Sequence, residues 1–122
     1  MGYESKVYIV DKRDIADEDG MKYANVIAMF DMGKYPVLSN VFKEQTDCYI
    51  FADDGNTKIK EDKYGDPLTE ASIDDVISAL EEDVYLEEPY RRTLPLLVTL
   101  EALKSQMETN MWRNVAVLHY GH

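Results

Sequence analysis

The chain has 122 residues, of which 24 are acidic and 13 are basic, and its formal net charge at pH 7 is −11. The length suits one domain with a continuous core, and a hydrophobic content of 45% is typical of a globular fold and argues against disorder. The negative charge disfavours direct nucleic-acid binding, because phosphates would be repelled. It favours instead a basic protein partner, a cation or simple solubility.

Cysteine content and hydropathy indicate the compartment. The one cysteine, Cys48, cannot form a disulfide within the chain, which fits a reducing cytosol. The first residues are polar and do not resemble a signal peptide, and no apolar run approaches the roughly 20 residues of a membrane span. We expect a cytoplasmic protein that does not act at a membrane.

Alternation of β-branched and aromatic residues with other types predicts the strands. The clearest lie at residues 5–11, 22–30, 47–52 and 114–120. The first two, joined by a charged turn, most simply form an antiparallel hairpin. Residues 26–30 are all apolar, so we expect the centre of the second strand to be covered on both faces. A turn at Asp53-Asp54-Gly55-Asn56 precedes a short edge strand at residues 57–61.

Helical spacing of apolar residues predicts two main helices. The first begins at the N-cap Ser72 and runs to residue 88, and the second begins at Thr93. The buried stripe of the second helix is Leu96, Leu97, Leu100, Leu103 and Met107. A short helix is predicted from the spacing of Val37, Leu38, Val41 and Phe42. We therefore predict a single α+β domain over residues 1–122, with a mostly antiparallel sheet of about four strands packed against two main helices.

Negative charge is concentrated in residues 64–90, which contain nine acids and no basic side chain. On the first helix these acids lie roughly opposite the apolar stripe, so they form an acidic outer face. A mimic of nucleic acid would present such a row to a basic groove, but an ordinary solvated helix face has the same pattern. The candidate partner-binding residues are Asp74, Asp75, Glu81, Glu82, Asp83, Tyr85, Glu87 and Glu88.

Tyrosine is the second unusual component, with nine in the chain. Tyr64, Tyr85 and Tyr90 lie in or beside the acidic segment. Tyrosines of this kind either complete the rim of the core or add contact area to an interface.

No catalytic or cofactor motif is present. His119 and His122 fall on opposite faces of a strand and are interpreted as structural. Asp53 and Asp54 are interpreted as turn residues, with a loosely held cation as the alternative. Cys48 is interpreted as a buried, inert thiol, unless His119 lies beside it on the same face. We expect no cofactor and no metal, and a metal-dependent hydrolase that uses Asp53, Asp54 and His119 is the least favoured hypothesis.

Several segments of the sequence carry a resemblance to a known family. They are Gly2-Tyr3-Glu4-Ser5-Lys6-Val7-Tyr8-Ile9-Val10, Val26-Ile27-Ala28-Met29-Phe30-Asp31, Phe51-Ala52-Asp53-Asp54-Gly55-Asn56-Thr57, Asp62-Lys63-Tyr64-Gly65-Asp66, Tyr90-Arg91-Arg92 and Val117-Leu118-His119-Tyr120-Gly121-His122. Together they resemble a family of small, acidic, uncharacterised proteins encoded by phages and prophages of Gram-positive bacteria. The resemblance implies an intracellular setting in an infected bacterium, and it carries over no activity, cofactor or binding residue.

Two functional hypotheses remain besides the hydrolase. The first is a non-enzymatic phage accessory protein that binds a basic, nucleic-acid-binding host protein, such as a restriction or CRISPR component, through the acidic helix and nearby tyrosines. The alternative is a structural or assembly protein that forms homo-oligomers through strand edges and tyrosines.

Overall fold

The computed structural model describes residues 5–16, 18, 20–33, 41–51, 55–61, 65–84, 93–110 and 114–121. Within them the chain forms seven strands and two α-helices. In chain order these are β1 (Ser5–Ala16), β2 (Lys22–Gly33), β3 (Glu44–Gln45), β4 (Cys48–Phe51), β5 (Lys58–Ile59), β6 (Thr69–Ala71), α1 (Ile73–Val84), α2 (Thr93–Asn110) and β7 (Val115–Tyr120).

All seven strands join one sheet, curved as a half-barrel, in the order β3-β6-β7-β1-β2-β4-β5. The central strand, β1, pairs antiparallel with β2 on one side and with β7 on the other. The pairs β3–β6, β4–β5 and β6–β7 are also antiparallel. In contrast, β2 and β4 run parallel, with Lys22 opposite Cys48 and Tyr23 opposite Tyr49.

The α+β class is confirmed, but the expected sheet of about four strands is wrong, because the sheet has seven strands of mixed direction. The short edge strand predicted at residues 57–61 is confirmed as β5, which pairs with β4 at the edge of the sheet. The strands β3 and β6 contain two and three residues, which is too short for an alternating pattern to reveal them. The predicted hairpin of β1 and β2 is confirmed. β1 is longer than expected and continues through Ala16 into the segment expected to turn.

Two apolar clusters lie on opposite faces of the sheet. Along β7, Val115 and Val117 pack in the first cluster, whereas Ala116 and Leu118, one residue out of phase, pack in the second. The first cluster lies between the sheet and the helices. Its members from the helices are Ile73, Val76, Ile77, Leu80, Leu96, Leu97, Leu100 and Leu103.

The curvature of the sheet encloses the second cluster. The backbone N–H of Leu68 donates a hydrogen bond to the carbonyl of Lys60 at 3.2 Å, and an isolated bridge pairs Glu61 with Pro67. These contacts hold the chain after β5, at one end of the sheet, against the segment that leads into β6 near the other end. Leu68 is fully buried there and closes the cluster.

The middle of β2 is covered on one face only. Ala28 packs against the first cluster, whereas Met29 and Val26 are 49% and 37% exposed. The expectation of two covered faces is therefore wrong. β4 pairs with β2 only at Lys22 and Tyr23, so the strands around the second cluster do not extend over the centre of β2.

Both main helices begin where their sequence predicts. The hydroxyl of Ser72 accepts a hydrogen bond from the N–H of Asp75 at 3.1 Å, which confirms the N-cap of α1, and α2 begins at Thr93. The predicted extension of α1 to residue 88 lies outside the described residues. Val37 and Leu38 of the predicted short helix also lie outside the described residues. Its other two residues, Val41 and Phe42, are described and are not helical. Neither described helix has the length and apolar character that crossing a membrane requires.

Truncation of Leu80 tests the packing of α1. The side chain is fully buried in the first cluster, so Leu80→Ala should lower the free energy of unfolding by about 2–5 kcal/mol, measured by urea denaturation. Leu94 on α2 is 54% exposed, and Leu94→Ala should change that free energy by about 0.5 kcal/mol or less. Equal losses in the two variants would contradict the placement of Leu80.

Candidate functional site

Helix α1 separates its apolar and acidic residues onto two sides. The side chains of Ile73, Val76, Ile77 and Leu80 are buried in the first cluster. The acids at positions 74, 75, 81 and 82 are exposed. Because a helix turns once every 3.6 residues, burial of the apolar stripe forces these acids outward.

The structure accounts for part of the predicted binding set. Asp74, Asp75, Glu81 and Glu82 are described and lie on the exposed side of α1. Asp83 is in the helix, but its side chain is not described. The remaining three, Tyr85, Glu87 and Glu88, lie outside the described residues.

One of these acids is neutralised within the protein. The ammonium of Lys104 on α2 forms an ion pair and hydrogen bond with Asp74, and that bond raises the pKa of Lys104, with a smaller contribution from the charge of Glu81. Within the described part of the chain, Glu81 and Glu82 form no ion pair. Among the described acids of α1, Asp74 is therefore paired, whereas Asp75, Glu81 and Glu82 have no ion pair within that part of the chain.

An exposed apolar pair lies on the first turns of α2. Leu94 and Val98 are 54% and 55% exposed and are four residues apart, so they share one face of α2. The contact of Asp74 with Lys104 shows that the start of α1 lies beside the later part of α2. α2 follows α1 after eight residues of chain and packs against it, so the exposed apolar pair and the exposed acids of α1 belong to two helices in contact. We call Glu81, Glu82, Leu94 and Val98 the helix surface.

The described tyrosines do not add to this surface. Tyr49 is buried, while Tyr8, Tyr23 and Tyr120 are half-buried. Tyr23 and Tyr49 form an aromatic group with Phe51, with ring centroids 5.1–5.9 Å apart, and Tyr8 and Tyr120 pack against the second cluster. Tyr64, Tyr85 and Tyr90 lie outside the described residues.

A second polar site, which we call the Lys12 cluster, connects β1 and β6 with the start of β4. The Lys12 ammonium lies 3.1 Å from Glu70 Oε2 and 3.3 Å from Asp47 Oδ1. The other oxygen of Glu70 accepts a hydrogen bond from the hydroxyl of Thr46 at 2.7 Å. The thiol of Cys48 donates to Asp47 at 3.3 Å, and its backbone N–H donates to Thr46. The cluster consists of these five residues.

Contacts within the cluster shift the pKa values of Lys12 and Asp47. Partial burial by itself would lower the pKa of Lys12, but the hydrogen bond and charge of Glu70, with smaller contributions from Cys48 and Asp47, raise it above the usual value. Desolvation would raise the pKa of Asp47. Hydrogen bonds from Cys48 and Lys12 and the charges of Lys12 and Lys22 instead lower it. Both groups are therefore charged at neutral pH.

The thiol of Cys48 is protonated at neutral pH. Burial, followed by the hydrogen bond to Asp47, raises its pKa to about 11. His119 lies elsewhere, on the helix-facing side of β7, where it stacks on Phe42 and its Nε2 is 2.7 Å from the hydroxyl of Ser5. Cys48 belongs to the opposite cluster and its strand is not adjacent to β7, so the two residues do not form a nucleophilic pair.

Three members of the Lys12 cluster have the chemistry of metal ligands. One donor atom from each of Asp47, Cys48 and Glu70 lies within 4.8 Å of the others. The Lys12 ammonium already bonds both carboxylates, so a metal ion would have to displace it and also deprotonate the thiol. We therefore interpret the cluster as a structural ion pair network. The other carboxylates considered for a cation, Asp53 and Asp54, lie outside the described residues.

Sequence reasoning did not find the Lys12 cluster. Lys12 and Glu70 are 58 positions apart, and their contact depends on a sheet order in which β6, β7 and β1 are neighbours. The one local sign was Asp47-Cys48 at the start of a predicted strand, which specifies no partner. Comparison of the chain with protein-family models, curated proteins and solved structures finds no match.

Removal of the Lys12 charge should destabilise the protein. Lys12→Met leaves two carboxylates close together without a cation, so the free energy of unfolding should fall by about 1–2 kcal/mol, measured by urea denaturation at pH 7. Lys43 is exposed and forms no ion pair with the described residues, so Lys43→Met is the matched control. A loss in Lys12→Met no greater than in the control would show that the ion pairs contribute little.

The Cys48 thiol should weaken the protein at alkaline pH. Its pKa rises from 9.0 to about 11 on folding, so between these values the unfolded chain releases a proton that the folded chain retains. The free energy of unfolding then falls as pH rises, with a slope approaching about 1.4 kcal/mol per pH unit from this group. Cys48→Ala removes that slope. A difference between wild type and variant that stays constant from pH 8 to 11 would refute the assignment.

Proposed function

We propose that the protein is a non-enzymatic accessory protein that binds a basic protein partner through the helix surface. The observation that carries the proposal is the exposure of Glu81 and Glu82 without an ion pair among the described residues, on a helix whose other side is buried. Charges that are not paired within the protein act at longer range and attract a partner of opposite charge.

The chemistry of this surface suits a protein that itself binds nucleic acid. Such a partner presents a basic groove, and helix carboxylates spaced by about 6 Å per four residues can stand in for phosphates there. The resemblance to phage-encoded proteins suggests the setting, in which the partner is a restriction or CRISPR component of the host. In this proposal the protein competes with nucleic acid for that groove.

The apolar pair adds apolar surface that a partner can bury, which the charged residues do not provide. Leu94 and Val98 are more than half exposed, so a partner can remove their side chains from water. Interfaces commonly place apolar contacts at the centre and charged residues at the rim. Short-range burial then holds a complex that electrostatic attraction brings together.

Self-association through strand edges has less support. The outermost strands of the sheet, β3 and β5, contain two residues each. Edges this short offer few unpaired backbone groups to a second copy, so a self-associating edge would have to be β2 beyond Tyr23, where β4 does not pair with it. The described tyrosines, being buried or half-buried, offer it little contact area.

Charge reversal on α1 tests the proposed function. A partner captured from bacterial lysate at low salt is identified, purified and titrated against the wild-type chain by calorimetry. The triple variant Glu81→Lys, Glu82→Lys, Asp83→Lys should abolish this binding, because the surface then repels a basic groove. Affinity for the wild type should also fall steeply as salt rises.

The control reverses three exposed acids elsewhere, Glu18→Lys, Asp31→Lys and Asp66→Lys, and gives the same change in net charge. It should retain binding to within about threefold, since it leaves the helix surface intact. If the α1 variant bound as well as this control, the acidic helix would not be the interface. A partner that bound nucleic acid and the protein simultaneously would contradict the competition.

A further inference from the structure

A cavity of about 690 Å³ lies where the start of α1 meets β1 and β7. Four basic side chains line it: Lys12, Arg13, Lys22 and Lys43. The whole chain has 13 basic residues and a net charge of −11, so this clustering runs against the charge of the protein. Three carboxylates of the same wall, Glu44, Glu70 and Asp75, offset most of this positive charge, so a bound anion would be attracted chiefly to the cations that no carboxylate contacts closely.

Internal ion pairs account for two of the four cations. Lys12 contacts Asp47 and Glu70, and the ammonium of Lys22 lies 3.7 Å from the second oxygen of Asp47. These pairs hold both ammonium groups at the wall of the cavity. Two of the four cations therefore have positions fixed by ion pairs.

The other two cations, Arg13 and Lys43, can form ion pairs with a ligand. Lys43 is exposed and forms no ion pair with the described residues. Arg13 is also exposed, and its contact with Asp11 is 4.0 Å long, so that pairing is weak. Both side chains can move toward a ligand at little cost.

Acidic groups on the same wall narrow the ligand class. Glu44 and Asp75 line the cavity, and Asp75 lies in the first turn of α1, where the helix dipole stabilises its charge. Carboxylates accept hydrogen bonds from hydroxyl or amino groups but repel a bare anion. A ligand that carries both an anionic group and hydroxyl groups satisfies both parts of the wall.

We propose that this cavity binds a small polyhydroxylated anion, such as a sugar phosphate, with its anionic group at Arg13 and Lys43 and its hydroxyl groups at Glu44 and Asp75. This cavity is a different site from the helix surface, because its ligand would contact basic side chains, whereas the helix surface consists of acidic and apolar residues. Binding here needs no partner protein.

Ligand titrations of the isotopically labelled full chain test the proposal by NMR. Ribose 5-phosphate should give saturable shifts at the amides of Arg13, Lys43 and Ser72, and should bind more tightly than inorganic phosphate or ribose. Citrate distinguishes the anionic group. If citrate saturates the same amides, the site takes carboxylates as well as phosphates, and if it does not, the site selects phosphate.

Paired substitutions provide the matched control. Arg13→Gln with Lys43→Gln should weaken binding of ribose 5-phosphate by at least about tenfold, because charge-assisted hydrogen bonds are lost. Lys58→Gln with Lys104→Gln removes the same charge outside the cavity and should change affinity by less than about twofold. Both variants should keep the wild-type melting temperature to within a few degrees, since all four side chains are exposed.

Three outcomes would overturn the proposal. They are the absence of saturable shifts with any of the anions, equal loss of affinity in the two double variants, and binding of ribose as tight as that of ribose 5-phosphate. Titration of the wild type at rising salt gives a readout that needs no variant. Affinity for ribose 5-phosphate that does not change with salt would also refute a cationic site.

Discussion

The central position of β1 is the constraint on which the rest of the structure depends. This strand is hydrogen-bonded along both edges, to β2 and β7, and its apolar side chains alternate between two clusters. Val7 and Ile9 face the helices, while Val10 faces the strands that enclose the second cluster. A strand buried on both faces requires cover on each side, which the helices provide on one face and the curved sheet on the other.

The second half of the same strand carries the Lys12 cluster. As β1 leaves the apolar part of the sheet, Lys12 places its ammonium between carboxylates from the chain before β4 and from β6. Thr46 supports the contact with Glu70, and the ion pairs hold β6 and the chain before β4 to the central strand. The buried thiol of Cys48 completes this arrangement as a hydrogen-bond donor rather than as a nucleophile.

Charge in this protein is segregated as well as unbalanced. The acids of α1 face outward, whereas four cations gather around the cavity at the start of that helix. The segregation follows from the packing of α1, since its apolar stripe must meet the sheet and its acids must then face solvent. The first turn of α1 lies at the boundary, with Asp75 among the candidate acids and also in the wall of the cavity. The acidic face of α1 therefore lies close to a cavity whose wall carries both cations and carboxylates.

Local signals predicted a large part of this structure. Ser72 marked the start of α1, and the spacing of Ile73, Val76 and Leu80 indicated which side is buried. Alternation located β1, β2, β4 and β7. Cys48 was interpreted as a buried thiol, and it is buried. The short edge strand β5 was also predicted, within residues 57–61. The strands β3 and β6 and the exposed centre of β2 were not predicted, because they depend on which strands become neighbours.

The sequence by itself determined the α+β class, the N-cap of α1, the start of α2, the buried stripes of both helices as far as Leu103, and the acidic outer face of α1. Each of these depends on residues within a few positions of one another, where helix and strand periodicity act directly. The side chain of Met107, the last residue of the predicted stripe of α2, is not described. Tertiary structure alone decided the sheet order, the second apolar cluster, the Lys12 cluster and the cationic cavity. These bring together residues such as Lys12 and Glu70, 58 positions apart, whose contact is set by strand pairing and curvature rather than by any local pattern.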